Sequence, residues 1–187
     1  MPNVKQLTTE ELEAGLGEIR QSPEDNGLLE LIVARPQKGE RDVIEEGQLD
    51  LELGLVGDNW KTRGSGLTED RSAHPGMQLT IMNSRAIALI AHTRDRWQLA
   101  GDQLYVDLDI SPGNLPPGTK LSIGSAVVEV TDAPHTGCKQ FVERFGMDAM
   151  KWVNSPEGKD LNLRGINTRV TQAGTIRVDD EAKKLPV

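Results

Sequence analysis

Short apolar runs of period two, each cut off by glycine or proline, constrain this chain more than any other feature. Leu104, Val106, Leu108 and Ile110 occupy every second position, and the turn formers Ser111-Pro112-Gly113-Asn114 and Pro116-Pro117-Gly118 follow closely. Alternation places such side chains on one face of a strand, and proline cannot continue a ladder. The same reading predicts strands over Leu28–Ala34, 49–53, 78–82, 120–123, 126–131, 166–171 and 175–178. The last two flank Gln172-Ala173-Gly174, the strongest hairpin signal in the chain. Helical spacing is confined to a few stretches. Thr8 and Glu11 have the spacing of a capping box ahead of Leu12, Leu16 and Ile19, Ser84 caps a segment through Ala91, and Cys138–Phe145 and Met147–Val153 follow later. Many short strands, few helices and no strand-helix-strand alternation predict a mainly β fold, a closed or partly closed barrel with a few short helices. Residues 1–27 read as an N-terminal helical extension and 28–187 as the barrel domain.

A chain of 187 residues is long enough for one well-buried core. Trp60, Trp97, Trp152, Tyr105, Phe141 and Phe145 are its whole aromatic set, so that core must be mostly leucine, isoleucine and valine. Acidic residues outnumber basic ones 29 to 21, and the resulting field repels polyanions unless arginine and lysine gather in one place. No nucleic-acid partner is expected. No apolar run approaches the roughly 20 residues of a membrane span, and the first 20 residues lack the pattern of a secretory signal, so a cytoplasmic protein without a membrane partner is expected. The single cysteine cannot form an internal disulfide, which agrees with a reducing compartment and leaves one thiol for packing or for chemistry.

That thiol, Cys138, follows the turn Pro134-His135-Thr136-Gly137 and opens a helical segment beside Lys139. A helix N-terminus and nearby cations favour thiolate, the form that binds metals and attacks sulfur. A lone cysteine is also commonly a small buried apolar residue. His135, three residues earlier, suits a ligand, a proton donor or a turn residue. Two such groups do not make a zinc site, and neither C-x-x-C nor H-E-x-x-H occurs. Arg164, Asn167 and Arg169 cluster around Gly165 at a predicted strand start, an arrangement that suits an oxyanion or, equally, an exposed strand end pairing with carboxylates. The segment 57–76, with Asp58, Lys61, Arg63 and Arg71, is polar and aperiodic and reads as a long surface loop of the kind that carries function.

The order of several short motifs resembles the MOSC domain, named after the C-terminal domain of molybdenum-cofactor sulfurases. They are Gly54-Leu55-Val56-Gly57-Asp58, Gly101-Asp102-Gln103-Leu104, Leu121-Ser122-Ile123-Gly124 with 126–131, Pro134 through Phe141, Arg164 through Val170, and Gly174-Thr175-Ile176-Arg177-Val178. Asn59-Trp60 stands where relatives often carry an Arg-His type pair. The resemblance implies a MOSC-type β-barrel and a functional cysteine at Cys138. In relatives that reduce N-hydroxylated compounds this cysteine ligates molybdenum held by a pterin dithiolene, whereas in sulfurase-linked relatives it carries sulfur as a persulfide.

Three functions follow from that resemblance. In the first, Cys138 binds molybdenum and forms a catalytic pair with His135. Arg164, Asn167, Arg169 and the loop residues Asp58, Lys61, Arg63 and Arg71 hold the molybdenum-pterin cofactor, and His135 or Lys139 tunes the thiolate. A small N-hydroxyl or N-oxide substrate is reduced with electrons from a separate donor, since no flavin, haem or iron-sulfur motif is visible. In the second, Cys138 accepts sulfur from a cysteine desulfurase and passes it on. In the third, the barrel is an interaction protein with an inert buried cysteine. Pyridoxal phosphate, present in proteins fused to this domain, is not assigned to this chain. The first two require a thiol that is reachable, and the expectation places it at the mouth of the barrel.

Overall fold

In a computed structural model of the chain, which describes residues 5–186, the alternating runs become strands. These are β1 (Gly27–Ala34), β2 (Asp42–Ile44), β3 (Glu46–Asp50), β4 (Gly54–Leu55), β5 (Leu79–Asn83), β6 (Leu104–Asp107), β7 (Lys120–Ile123), β8 (Ala126–Val130), β9 (Ile166–Gln172), β10 (Gly174–Arg177) and β11 (Glu181–Lys184). The order β1-β6-β5-β9-β8-β7-β11 closes on itself, because β11 pairs with both β7 and β1. Within this seven-stranded barrel only β5 and β6 run parallel. β2 lengthens the sheet beside β1, while β10, β3 and β4 form a separate three-stranded sheet. The protein is mainly β, as the alternation predicts.

Period two sorts the side chains into two cores. Leu79 and Ile81 on β5, Leu104 and Val106 on β6, and Ile166 and Val170 on β9 point into the barrel, which is filled by leucine, isoleucine, valine and alanine. On the outer face of the same sheet, Leu31, Val33, Met82 and Tyr105 meet the helices. Those helices are α1 (Thr9–Ala14), α2 (Leu16–Ile19), α3 (Trp60–Arg63), α4 (Ser84–Ala91), α5 (Lys139–Phe145), α6 (Met147–Val153) and α7 (Pro156–Asp160), with a 3-10 segment at Arg94–Ala100. The outer core holds Trp97, Tyr105, Phe141, Phe145 and Trp152, and each such side chain contributes about 1.5–3 kcal/mol or more by leaving water. Burial pushes the Tyr105 phenol well above its usual range, and its hydroxyl donates to the Trp97 carbonyl at 2.8 Å. Among the described residues no helix is long and apolar enough to cross a membrane.

The N-terminal segment packs into this outer core through Leu12, Leu16 and Ile19. Its predicted capping box is present, with Thr8 Oγ1 accepting from the Glu11 amide and the Glu11 carboxylate accepting from the Thr8 amide. The helix breaks at Gly15, which packs closely against α4: a β-carbon there would sit 2.4 Å from the Leu89 side chain and displace it. Residues 1–4 of the predicted extension lie outside the described residues.

Four expectations need correction. The strands around Gln172-Ala173-Gly174 do not pair with each other; β9 pairs with β8 and β5, while β10 crosses to β3. A β-carbon on Gly174 would sit 2.5 Å from the Ser125 backbone, so the turn packs tightly against the β7–β8 turn and sends the chain into the second sheet. The run 49–53 stops being a strand at Asp50, whose carboxylate accepts from the amides of Glu52 and Leu53 and leaves Leu51 and Leu53 exposed. The run 104–110 ends as a strand at Asp107, although Leu108 and Ile110 still fill the barrel. Finally, the loop 57–76 contains α3, whose Trp60 is buried.

Candidate functional site

Thr80 on β5 and Asn167 on β9 are register partners on the outside of the barrel. A cleft of about 460 Å³ opens above them. Its walls come from the 35–41 loop, Asn59 and Arg63 of the α3 region, the turn after the 3-10 segment, the strap around His135, and α5. It therefore lies against the outer sheet face beside the aromatic core, and not at the barrel mouth. Asn167 ties the strap down, donating from Nδ2 to the carbonyls of Ala133 (3.1 Å) and Pro134 (3.2 Å).

In a chain of net charge −8, Arg35, Lys38, Arg41, Arg63, Arg144 and Arg164 line this cleft, and among the described residues no aspartate or glutamate does. Two of the six are neutralised from behind by fully buried carboxylates. Arg35 grips Asp58 with Nε at 2.7 Å and Nη2 at 2.9 Å, and Arg164 Nη1 donates to Asp102 Oδ2 at 2.6 Å. The other four form no ion pair among the described residues. Backbone carbonyls position the arginines instead. Gln98, Leu99, Ala100 and Gly101 accept in turn from Arg41 (3.2 Å), Arg144 (2.5 Å), Arg164 (3.0 Å) and Arg35 (2.8 Å). Four consecutive carbonyls at the end of a 3-10 segment thus hold four guanidinium groups from three different parts of the chain. A carbonyl dipole fixes a guanidinium without cancelling its charge.

The deepest part of the site is a polar cluster with incomplete hydrogen bonding. His135 Nδ1 faces Asp102 Oδ1 at 3.6 Å, too far for a hydrogen bond. Burial, reinforced by the Arg164 charge, lowers the His135 pKa to about 3, so the imidazole is neutral. Gly165, at φ +104°, makes this approach possible: a β-carbon there would sit 2.6 Å from the Ile81 carbonyl oxygen and 3.2 Å from His135 Nδ1. Asn59 Oδ1, Asp102 Oδ1, His135 Nδ1, Arg164 Nε and Asn167 Oδ1 are buried without hydrogen-bond partners among the described residues. Asn59, His135, Arg164 and Asn167 line the cleft and Asp102 backs it. Unsatisfied buried polar groups cost about 1–3 kcal/mol each, and their concentration at one wall fits a site shaped for a polar ligand.

Cys138 caps the N-terminus of α5, lines the cleft and is exposed. The expectation of a buried cysteine is therefore corrected. His135, Arg164, Asn167 and Arg63 also reach the cleft. Asp58 stands behind it as the counter-ion of Arg35. Lys139 and Lys61 are exposed and do not line it. Arg71 lies on a separate shallow hollow of the 63–71 loop, and Arg169 pairs with Glu129 at 2.7 Å on the surface. Asn167 and Arg169 share the outer face of β9, but the strap covers only the first. Sequence reasoning missed Arg35, Lys38, Arg41, Arg144 and Asp102; only Asp102 carried a signal, inside the Gly101-Asp102-Gln103-Leu104 motif. Among the described residues no group of three or more histidine, cysteine or carboxylate side chains could hold a metal ion.

Solved structures supply the remaining comparison. A crystal structure of the YuaD protein from Bacillus subtilis matches with a TM-score of 0.61 and 16% identity, covering 84% of this chain and 94% of that one. YiiM from Escherichia coli matches at 0.55 and 18% identity, covering 86% and 70%. The chain has a MOSC-like fold. A further crystal structure, of a hypothetical protein, shares this MOSC-like barrel at a TM-score of 0.59 with 19% identity, over 88% and 70% of the two chains. No protein-family model matches the sequence, and no curated protein matches it either.

Proposed function

We propose that this MOSC-like protein binds a molybdenum-pterin cofactor in the cationic cleft, with Cys138 as the protein's metal ligand, and acts as the reducing component for a small N-hydroxyl or N-oxide compound. The observation that carries this reading is an exposed thiol in a cleft that has six cations, several orphaned polar atoms and, among the described residues, no lining carboxylate. A cofactor of this class is an anion that brings its own metal and sulfur donors. It requires from the protein one soft ligand, cations for its phosphate and hydrogen-bonding groups for its pterin. The residues present fit those requirements: Cys138 as the soft ligand, Arg63 and Lys38 as cations, Arg164 Nε as a free donor, and Asn167 Oδ1, Asn59 Oδ1 and His135 Nδ1 as free hydrogen-bonding atoms.

Bound there, the group supplies open metal positions and the capacity to take oxygen from nitrogen. Converting N–OH to N–H consumes two electrons and two protons and releases water, so a separate electron donor belongs to the reaction. The chain's own residues orient and shield. Asp58 and Asp102 fix Arg35 and Arg164, and Phe141 lies under the Arg164 guanidinium with its ring centroid 5.1 Å away. Neutral His135 offers a ring nitrogen as hydrogen-bond partner to whatever occupies the cleft.

Protein produced in cells that make the cofactor, compared with Cys138→Ser, tests the proposal by elemental analysis and intact mass. Near-stoichiometric molybdenum in wild type and its loss in the variant is the expected result. Wild-type protein without molybdenum would overturn it, and an extra sulfur atom on Cys138 in metal-free protein would establish the sulfur-carrier reading in its place.

A further inference from the structure

The cleft holds more positive charge than a cofactor phosphate bound near Arg164 and Asn167 requires, and the surplus is ordered. Arg41 is pinned by Nε on the Gln98 carbonyl and by Nη1 on the Glu40 carbonyl at 2.5 Å, and Arg144 by Nη1 on the Leu99 carbonyl. Both guanidinium groups converge above Gly101. Arg41 Nη2 lies 3.7 Å and Arg144 Nη1 3.9 Å from the point where a β-carbon on that glycine would stand. Gly101 has φ +93°, a conformation that suits glycine and leaves this spot without a side chain. The spacing allows one oxyanion to accept from both arginines. Like charges held together in a partly desolvated wall oppose each other: burial first, then Arg144 and Arg35, draw the Arg41 pKa down. Neither arginine forms an ion pair among the described residues, so an incoming anion would relieve that repulsion.

We propose that Arg41 and Arg144, held over Gly101 by the carbonyls of Gln98 and Leu99, form an oxyanion subsite that selects substrates bearing a carboxylate, sulfonate or phosphate group. The proposal rests on the reading that this cleft takes a small-molecule substrate. It adds the substrate's charge class and two specificity-determining residues. Arg144 follows Cys138 by six residues on α5, roughly 9 Å along the helix axis, so the anionic group and the reacting N–O group sit at opposite ends of a compact molecule.

Calorimetric titration of inorganic phosphate at low ionic strength tests the subsite in the full-length protein. Arg41→Gln and Arg144→Gln should each weaken phosphate binding about tenfold or more, as expected for loss of a charge-assisted hydrogen bond. Arg144→Lys should retain part of the affinity as a point charge, which a purely structural role would not predict. Arg169→Gln, outside the cleft, should match wild type. Affinity unchanged in both glutamine variants, or weakened equally in Arg169→Gln, would overturn the subsite. Molybdenum content of the same variants separates the two sources of the anion. Unaltered content supports a substrate group, whereas its loss alongside phosphate affinity assigns the arginines to the cofactor and overturns the substrate proposal. The phosphate result is independent of the metal, so a wild-type protein lacking molybdenum would refute the proposed function while leaving this subsite intact.

Discussion

The two cores of this protein are built from different materials. The barrel interior is aliphatic throughout, whereas the outer core under the helices holds five of the six aromatic residues and adjoins the cleft. Strands β1, β5 and β6 are shared, with one row of side chains facing each core. The inner row closes a scaffold that needs only volume and branching. The outer row fixes the helices that carry Cys138 and Arg144, so shape matters there. Phe141 and Phe145 pack as a tilted pair with ring centroids 5.0 Å apart, and Arg96 lies over Phe145 while donating to the Arg144 carbonyl at 2.9 Å. The barrel supplies stability, and the aromatic layer supplies the geometry of the site.

Substitutions in each layer should separate these two contributions. Asp102→Ala strands the buried Arg164 charge and should cost about 3–5 kcal/mol, read as a lowered midpoint in urea. Phe141→Ala should cost a similar amount, about 3–5 kcal/mol, and should also weaken phosphate binding, because it undercuts both α5 and Arg164. Leu104→Ala should lower stability by about 2–5 kcal/mol yet leave phosphate affinity within twofold; a matching loss of affinity would break the division of labour.

Per pH unit, the titration of His135 gives a smaller effect. The folded protein keeps His135 neutral down to about pH 3, while an unfolded chain protonates it near 6.5. Unfolding therefore takes up a proton between those values, and stability falls as pH drops through that window by at most about 1.4 kcal/mol per unit. Above pH 6.5 the histidine has no such effect. His135→Gln should flatten the acid side of a melting-temperature profile; an unchanged slope would refute the assignment. Smallest of all, Arg169→Gln removes an exposed ion pair and should shift stability by about 1 kcal/mol or less.

The inner layer was the more legible. Alternation at Leu104 and Val106 reports a face directly, because each strand needs only its own sequence to declare which side is apolar. β11 escaped notice because Glu181-Ala-Lys-Lys presents one buried methyl, Ala182, among charges and resembles a solvated tail. Gly174 was recognised as a turn, but a turn does not specify which strand its successor joins. The cleft was half visible: Cys138 and His135 share one short motif, and Arg164 and Asn167 share another. Arg35, Arg41 and Arg144 were not, since what unites them is a row of backbone carbonyls at 98–101, and backbone groups leave no trace in residue identity.

The closure of the barrel by β11 sets a constraint on how the molecule is made. β1 pairs with β11 at Leu28 and Glu181, so the ring is sealed by a contact between segments near opposite ends of the described chain. Contacts so distant in sequence form slowly. On the ribosome, β1 and β7 emerge with bare edges and wait for a partner that is synthesised after every other strand of the barrel. Until translation passes residue 184 the sheet is an open ribbon, and a stalled or prematurely terminated product would present two unpaired strand edges to any neighbour able to add to them.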